Sequence, residues 1–533
     1  MENPDAQTDP HIPKEVAQAN GARTERPDEG YISVRSGPWG RPWFRTYGIP
    51  IRPTRRRARV VEQTVEQIPP PPGVRLIRRF AKRAFINRNF SLLWWGQTIS
   101  SIGDYTWDTA LLLWIATFLA KNQSWAPLAV SGAIVAAAIP QIAVGPIAGV
   151  FVDRWDKRRT MVIMTAIQAI LAAALIIPVT GTLLPGIEHL RIPVGWLLGI
   201  TYIDIFLQTC CAQFFLPAQL ALIKDIVPEP KQDQAIEMTQ AIQGLAVVIG
   251  PPVAAALVFG LGTQWALLLN ALSFGLCFWA AVAIVAPPSV SSLEPGESGH
   301  FSREFVAGIR YVLRHNVLRT VLIAEILTWL GFGALQSLGY FFITENLHAP
   351  PSSYGWFGAV FGFGAIAGGA LVAIFGRKIG LVRILWVALI TSGTFVVVMS
   401  HLTNFGLALV AAFLFGVSAT AILISAGPLS IDATEKEFVG RVTAVINPVG
   451  RLAALVSVII AGALVGTVLQ GFHAHLLFIE FDGVNVIFSG MGLLAVVGGI
   501  YARIHLGGSL DLGRASADNS REQEATAHRA SAP

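Results

Sequence analysis

Long apolar runs constrain this chain more than any other feature of its sequence. Each run has at least the roughly 20 residues that an α-helix needs to cross the hydrocarbon core of a bilayer. We predict twelve transmembrane helices, at residues 91–120, 126–151, 160–183, 193–219, 238–260, 263–286, 318–344, 354–375, 382–401, 405–427, 442–469 and 484–505. The predicted fold class is therefore an all-α membrane protein with two six-helix bundles.

The overall composition supports a membrane fold. Hydrophobic residues make up 53% of the chain and charged residues only 14%, against about 25% charged residues in an average soluble domain. A soluble core has no room for so much apolar surface. The three cysteines lie inside apolar runs, so the sequence predicts neither a disulfide framework nor a metal site built on them. It also contains no phosphate-binding P-loop motif, and we expect no cofactor.

Lys and Arg are distributed unevenly over the connections between the predicted helices. Fourteen of them lie on one predicted side, whereas the other side has only Lys121 and Arg191. Since positive residues favour the cytoplasmic side of a membrane, we predict that both termini are cytoplasmic. The expected location is the cell (inner) membrane.

The ends of the chain and its middle are polar. Up to Arg88 the sequence has 17 basic and 9 acidic residues, which is compatible with nucleic-acid binding. We favour a disordered tail near anionic lipid headgroups and expect no nucleic-acid partner. The predicted organisation is a tail at 1–84, a first bundle at 85–286, a cytoplasmic linker with an amphipathic helix at 287–317, a second bundle at 318–505 and a disordered tail at 506–533.

The loop after the second predicted span combines small, acidic and basic residues. An aspartate at the helix end is followed by several cations, which suits a lock that holds helix ends together through charge-assisted hydrogen bonds. The alternative is that the cations only fix the topology, although topology does not require the glycine and the aspartate. The residues concerned are Gly149, Asp153, Arg154, Arg158 and Arg159.

This loop resembles the signature motif of the major facilitator superfamily. A second copy after the eighth span keeps Arg377 and Lys378 but has Ala373 at the acidic position. Two copies are expected of an internally duplicated, pseudo-symmetric transporter. Segments 87–97, 215–218, 308–314 and 440–442, the last including Arg441, resemble the branch of the enterobactin exporter and the macrolide efflux proteins.

The fifth span resembles a Gly-Pro motif associated with antiporters of this superfamily, at Gly244, Gly250 and Pro251. The resemblance implies a monomeric secondary active transporter. It would export amphipathic small molecules, such as a drug, siderophore or metabolite, by alternating access. The expected energy source is proton antiport.

Acidic residues inside predicted spans are candidates for proton coupling. A charge near the middle of a bilayer costs about 2.5–3.5 kcal/mol on insertion scales, so such a residue faces water or a partner, and a proton also removes the cost. Alternatively, Asp104 and Asp108 are structural and pair with hydroxyl groups or with a cation such as Arg451. The candidates are Asp104, Asp108, Asp204 and Glu325.

Aromatic and amide side chains inside the spans are candidates for the wall of a substrate cavity. Such a lining suits a sizeable amphipathic substrate, although aromatic residues are also common at lipid-facing positions. The candidates are Trp107, Trp114, Gln213, Phe214, Gln243, Trp329, Gln336 and Tyr340.

Several other functions stay open at this level. The same fold serves importers and lipid-moving transporters, because a fold does not determine a function. The basic tail is also compatible with a membrane sensor that does not transport. A membrane enzyme would need clustered nucleophiles or metal ligands, and the residues closest to that description are His473, His475, Glu480 and Asp482, which an exposed loop explains equally well.

Deletion of residues 1–67 separates a transporter from a sensor. We expect the truncated protein to retain transport, because the predicted transport machinery begins after residue 84. The measurement is uptake into inverted membrane vesicles, normalised to the amount of inserted protein. Loss of activity at normal insertion would favour a signalling role for the tail.

Overall fold

The computed structural model describes residues 86–183, 192–285, 301–435, 437–470, 472–476 and 479–530. The predicted N-terminal tail at 1–84 and residues 287–300 of the predicted linker lie outside the described residues. Within the described ranges the chain is almost entirely helical, with a single two-stranded antiparallel sheet.

Most of the helices in the described ranges follow one another after short connections. Three of them, α1, α9 and α13, continue into a π-helical turn, at Ile115–Leu119, Phe342–Asn346 and Leu464–Val468. The strands β1 and β2 are His473–Leu476 and Ile479–Asp482. The helices are α1 Arg88–Trp114, α2 Ala126–Ala143, α3 Gly145–Val152, α4 Lys157–Leu183, α5 Val194–Ile226, α6 Gln232–Gly260, α7 Thr263–Ala283, α8 Phe301–Arg314, α9 Asn316–Phe341, α10 Ser353–Ile379, α11 Leu381–Ser400, α12 Phe405–Asp432, α13 Val439–Ala463 and α14 Gly483–Ala530.

Side-chain caps mark where several helices begin. The side chain of Asn87 accepts a hydrogen bond from the backbone N–H of Phe90 at 2.8 Å, and Asn404 caps α12 in the same way through Leu407 at 3.1 Å. These bonds satisfy backbone donors that have no partner within the helix. The capping residues Asn87 and Asn404 therefore define where these two helices begin, independently of the apolar runs.

The second predicted span is divided into two helices. The break lies at Val144, between α2 and α3. Pro146 follows two residues later, and because proline has no N–H and its ring clashes with the preceding turn, it interrupts the helix. The predicted uninterrupted span at 126–151 is thus a kinked pair.

Eleven helical segments in the described part of the chain are long and apolar enough to cross a membrane. These segments correspond to the second through twelfth predicted spans. The first predicted span corresponds to α1, which carries Asp104, Asp108 and many hydroxyl groups and is not among the eleven. Nonetheless α1 is 27 residues long and packs against both α6 and α7 in the middle of the first bundle.

The two bundles repeat the same helix packing. In the first, α1 contacts α6 and α7, α4 contacts α5 and α7, and α2 contacts α5. In the second, α9 contacts α13 and α14, α11 contacts α12 and α14, and α10 contacts α12. Each contact of the first set has its counterpart six spans later, so the predicted all-α fold with two pseudo-symmetric halves is confirmed.

The two bundles meet through α2 with α13 and α6 with α10. We call the membrane side that carries Val152 and Lys157 the basic side, and the other the opposite side. Ser131 lies in the second turn of α2, on the opposite side, and its hydroxyl is 2.6 Å from the hydroxyl of Ser337 in α9. On the same side, the Thr117 and Tyr340 hydroxyls are 3.0 Å apart.

Small residues allow α6 and α10 to approach closely on the opposite side. A Cβ atom added to Gly355 would lie 2.7 Å from the Cβ of Ala255 and 2.8 Å from the carbonyl oxygen of Pro251. A Cβ atom added to Gly358 would lie 3.0 Å from the Cβ of Pro251. The glycines therefore set the distance between the bundles.

Two further helices lie at the basic side. The linker helix α8 packs against the start of α13, where Tyr311 stacks on Phe438 with ring centroids 4.6 Å apart. The last helix, α14, runs on to Ala530, through most of the segment 506–533 for which the sequence predicts disorder. That segment contains Ala, Glu, Arg and Gln, which have high helix propensity.

Replacement of Gly355 by leucine should separate the bundles on the opposite side, because its side chain has no space against Pro251 and Ala255. The readout is the yield of a disulfide between cysteines introduced at Ser131 and Ser337, in a variant without the three native cysteines. We expect a several-fold lower yield than with Gly355. Gly275→Leu is the matched control, since no atom lies within 4 Å of a Cβ at that position. An unchanged yield in Gly355→Leu would contradict this role.

Candidate functional site

A cavity of about 410 Å³ lies between the two bundles. Helices α1 and α2 form the wall on one side, and α9 and α13 form the wall on the other, with Ile205 from α5 and Tyr354 from α10. A cavity of this size accommodates a drug-sized molecule. Since both bundles contribute, any movement of one against the other changes its shape.

Three of the predicted substrate-cavity residues lie in this wall, namely Trp107, Trp329 and Gln336. The other five lie elsewhere. Trp114 is fully buried in the core, and Tyr340 bonds to Thr117 on the opposite side. Gln243 donates to the hydroxyl of Ser101 at 3.4 Å, Gln213 lies beside Gly145, and Phe214 stacks on Trp155 at 5.9 Å between ring centroids.

The wall also contains five residues that are not among the predicted cavity residues: Tyr105, Gln141, Phe332, Tyr354 and Arg451. The sequence predicts Arg451 only as a partner for an aspartate. Its position nine residues after the start of the predicted eleventh span, among apolar neighbours, is the signal that identifies it. A guanidinium at such a depth needs water or a polar partner, and in the cavity wall Arg451 has the side-chain oxygen of Gln141 as a partner.

Two opposite charges face this cavity. The side chains of Asp108 in α1 and Arg451 in α13 are both exposed and both line the wall. Arg451 donates a long hydrogen bond of 3.4 Å to the side-chain oxygen of Gln141 in α2, which crosses between the bundles. Within the described residues, the one salt bridge is elsewhere, between Lys157 and Asp225 at 2.7 Å.

Glu325 lies one helical turn from the cavity wall, toward the basic side. Its Oε2 accepts a hydrogen bond of 2.9 Å from the indole N–H of Trp329, and its side chain is half-buried. Trp329 is in turn held against α13, where its ring fills the space beside Gly450. The carboxyl group is thus linked through one side chain to both the cavity and the packing of α9 on α13.

The two remaining acidic candidates do not line the cavity. Asp104 is half-buried on α1, one turn from Asp108 toward the basic side. Asp204 is 6% exposed, and its Oδ2 has no hydrogen-bond partner among the described residues. One turn further along α5, the side chain of Gln208 donates to the backbone of Gln168 in α4 at 3.1 Å. Asp204 therefore lies on the face that packs inside the first bundle.

The loop that resembles the superfamily signature is bound to its own bundle. Arg158 donates to the carbonyl oxygens of Ala281 and Val282 at the end of α7, and Asp156 accepts from the backbone N–H of Arg159 at 2.6 Å. Gly149 has space for a side chain, because no atom lies within 4 Å of an added Cβ. Asp153 and Arg154 are exposed, and no described residue of the second bundle bonds to them.

The second copy of the motif lies on the same side of the second bundle. Lys378 is exposed at the end of α10, the side chain of Arg377 lies outside the described part, and Arg441 stands over the ring of Phe438 at 5.2 Å. The structure brings both copies to the basic side, and no bond joins them among the described side chains. The predicted lock between the bundles remains a prediction for another state.

The Gly-Pro motif of the fifth span contacts two neighbouring helices of α6, which are α1 and α10. Gly250 lies against Tyr105 and Thr106 of α1, where the Thr106 hydroxyl is 3.4 Å from its carbonyl oxygen. Pro251 packs on Gly355 and Gly358 of α10. Gly244 has no atom within 4 Å of an added Cβ. The motif thus sits where α6 bridges the two bundles.

The hairpin on the opposite side does not gather a metal site in the described residues. The side chains of His473, His475 and Glu480 lie outside the described part. Asp482 instead accepts hydrogen bonds from the side chain of Asn346 and from the backbone N–H of Asn485, the latter at 2.8 Å. It therefore connects the end of α9 to the start of α14. Nearby, partial burial lowers the pKa of His401, while the charge of Asp482 acts in the other direction.

Comparisons with known proteins agree with this architecture. Residues 93–344 match the family model described as Major Facilitator Superfamily. The uncharacterized MFS-type transporter YfiS of Bacillus subtilis is 27% identical over 53% of this chain, and the chain spans 62% of that relative, less than two thirds of its length. Macrolide efflux protein A of Streptococcus pyogenes is 25% identical over 70% of this chain and 88% of its own.

Among solved structures, the nucleoside transporter NupG superposes with a TM-score of 0.60 at 10% identity, over 78% of this chain and 99% of that chain. At this identity the likeness shows the fold alone. The predicted resemblance to the superfamily and to its macrolide efflux branch is confirmed. These relatives are transporters and not enzymes, and the chain is a multi-pass membrane protein.

The different environments of Asp108 and Asp204 can be tested by thiol labelling. In a variant without native cysteines, we expect Asp108→Cys to react with a membrane-impermeant maleimide added from the basic side. Asp204→Cys, the matched control, should react at least about tenfold more slowly, because a site that must open before it reacts is protected. Equal rates at both positions would contradict the assignment of Asp108 to the cavity.

Proposed function

We propose that the chain is a Major Facilitator Superfamily transporter, as the match over residues 93–344 indicates, and that it exports amphipathic small molecules by alternating access as a secondary active transporter. The observation that carries this proposal is the cavity between two pseudo-symmetric bundles, whose mutual contacts through Ser131, Ser337 and Gly355 lie on the opposite side. With the predicted orientation, the cavity is accessible from the cytoplasm, and an exporter loads its substrate in that state.

The wall of the cavity supports an amphipathic substrate. Aromatic faces from Tyr105, Trp329 and Phe332 supply apolar contact area, and amide groups from Gln141 and Gln336 supply hydrogen bonds. This mixture suits a molecule with an apolar body and a few polar groups. The similarity to a protein named for macrolide efflux supports export as the direction.

Proton antiport is the proposed source of energy, and Glu325 is the best-placed coupling group. It is near the cavity, half-buried, and bonded to a wall residue, Trp329. Protonation would remove a charge that is costly inside a membrane and weaken the hydrogen bond to Trp329, because the bond to an ionised acceptor is the stronger one. Substrate and proton then act on the same side chain.

Asp104 is the second candidate for coupling, since it lies one turn from the cavity residue Asp108. Asp204 is the weakest of the four, because it lies inside the first bundle and reaches the substrate only through other residues. Import and lipid movement remain the alternatives within the same fold.

The proposal is tested with inverted membrane vesicles that contain the full chain. An imposed proton gradient should drive uptake of a transported drug, and a pH-sensitive dye should report proton release from the vesicles. The drug is selected first, by comparing growth inhibition by a panel of antibiotics and siderophores with and without the gene. Uptake that does not depend on the gradient would overturn proton antiport, and drug movement out of these vesicles would overturn export.

Glu325→Gln should abolish gradient-driven uptake while drug binding persists, because glutamine retains the shape of the side chain but carries no exchangeable charge. The expected rate is that of vesicles without the protein. Asp432→Asn is the matched control, since Asp432 is an exposed acid at the basic-side end of α12. Normal gradient-driven uptake by Glu325→Gln would exclude this residue as the coupling group.

A further inference from the structure

The central cavity contains one acidic and one basic side chain, and their positions bear on which ligands it binds. Asp108 and Arg451 are the charged residues among those that line it in the described part of the chain. They come from different bundles, one from α1 and the other from α13. A ligand that contacts both therefore touches both of the bodies that alternate.

Neither charge is neutralised by the protein. Arg451 has a single hydrogen bond, to Gln141, at the long distance of 3.4 Å, and Asp108 has no hydrogen-bond or ion-pair partner among the described residues. Each charge has a substantial cost inside a membrane. Because they do not pair with each other, both are available to a bound molecule.

Three classes of ligand can be compared on this basis. A cation is attracted by Asp108 and repelled by Arg451, and an anion experiences the reverse. A neutral molecule leaves both charges without a partner after it has displaced the cavity water, which a site built for polar contacts penalises strongly. A ligand with one charge of each sign satisfies both groups.

We propose that the substrates are zwitterionic amphipathic molecules, with a cationic group at Asp108, an anionic group at Arg451 and an aromatic or alicyclic body against Trp329 and Phe332. This substrate class rests on the proposed transport function. Planar guanidinium groups bind carboxylates and phosphates through two parallel hydrogen bonds, so a carboxylate or phosphate is the expected anionic group.

The proposal is tested with three compounds that share one body. Naphthylalanine is zwitterionic at neutral pH, naphthylethylamine lacks its carboxylate, and naphthylpropionate lacks its amino group. Binding to the purified full chain is measured by equilibrium dialysis at pH 7. We expect the zwitterion to bind at least about tenfold more tightly than either of the others, because each charged hydrogen bond contributes on this scale. Equal or tighter binding of the amine or the acid overturns the proposal, as does the absence of binding by all three.

Single substitutions then assign each charge. Arg451→Gln should reduce the affinity for the zwitterion to that for the amine, and Asp108→Asn should reduce it to that for the acid. The charge-conserving variants Arg451→Lys and Asp108→Glu should keep the preference, and size-exclusion profiles show whether each variant is folded. A zwitterion preference that survives in folded Arg451→Gln overturns the assignment.

The substrate class and the transport function fail in different ways. If gradient-driven export of monocationic drugs occurs in vesicles and the zwitterion preference is absent, the transport function stands and the substrate class is wrong. If the zwitterion binds preferentially but no compound is moved by a proton gradient, the site is correct and proton-driven export is wrong.

Discussion

The cost of placing a charge in lipid determines how this protein is arranged. At about 2.5–3.5 kcal/mol for each charged residue near the bilayer centre, the acids and the arginine inside the spans have to reach water or a polar neighbour. Asp108 and Arg451 reach the cavity, and Glu325 reaches the indole of Trp329. Asp204 is the exception, because it is buried inside the first bundle.

Most of the fold could be predicted from the sequence. A chain that crosses a bilayer must hydrogen-bond its own backbone groups, and long apolar helices are one of the few structures that do so. The predicted span 263–286 corresponds to α7 at Thr263–Ala283, and 318–344 lies within α9 and its π-helical turn. The prediction of one continuous second span was wrong at Val144, although Pro146 is a sequence signal for a helix break there. The internal duplication that the repeated loop motif predicted is confirmed by the repeated helix packing.

The site was less predictable than the fold. In an apolar membrane helix the lipid-facing side and the side that packs on a neighbour have the same character, so the sequence does not define how the helix is rotated about its axis. Trp107 and Trp114 are seven residues apart and both looked suitable for a cavity wall, yet only Trp107 lines it. Asp204 was selected for its charge, but it faces the interior of the first bundle. Rotation also explains why Phe332 and Tyr354 were missed.

The closure on the opposite side is made of hydroxyl groups, glycines and a proline. Among the described residues, the contacts that cross between the bundles there include the pairs Ser131–Ser337 and Thr117–Tyr340 but no salt bridge. Neutral hydrogen bonds exchange readily with water at a net cost of about 0.5–1.5 kcal/mol each, and dissolved salt does not screen them as it screens ion pairs. Dissolved salt therefore has little effect on these contacts, and a ligand that binds the two access states with different affinities shifts the balance between them.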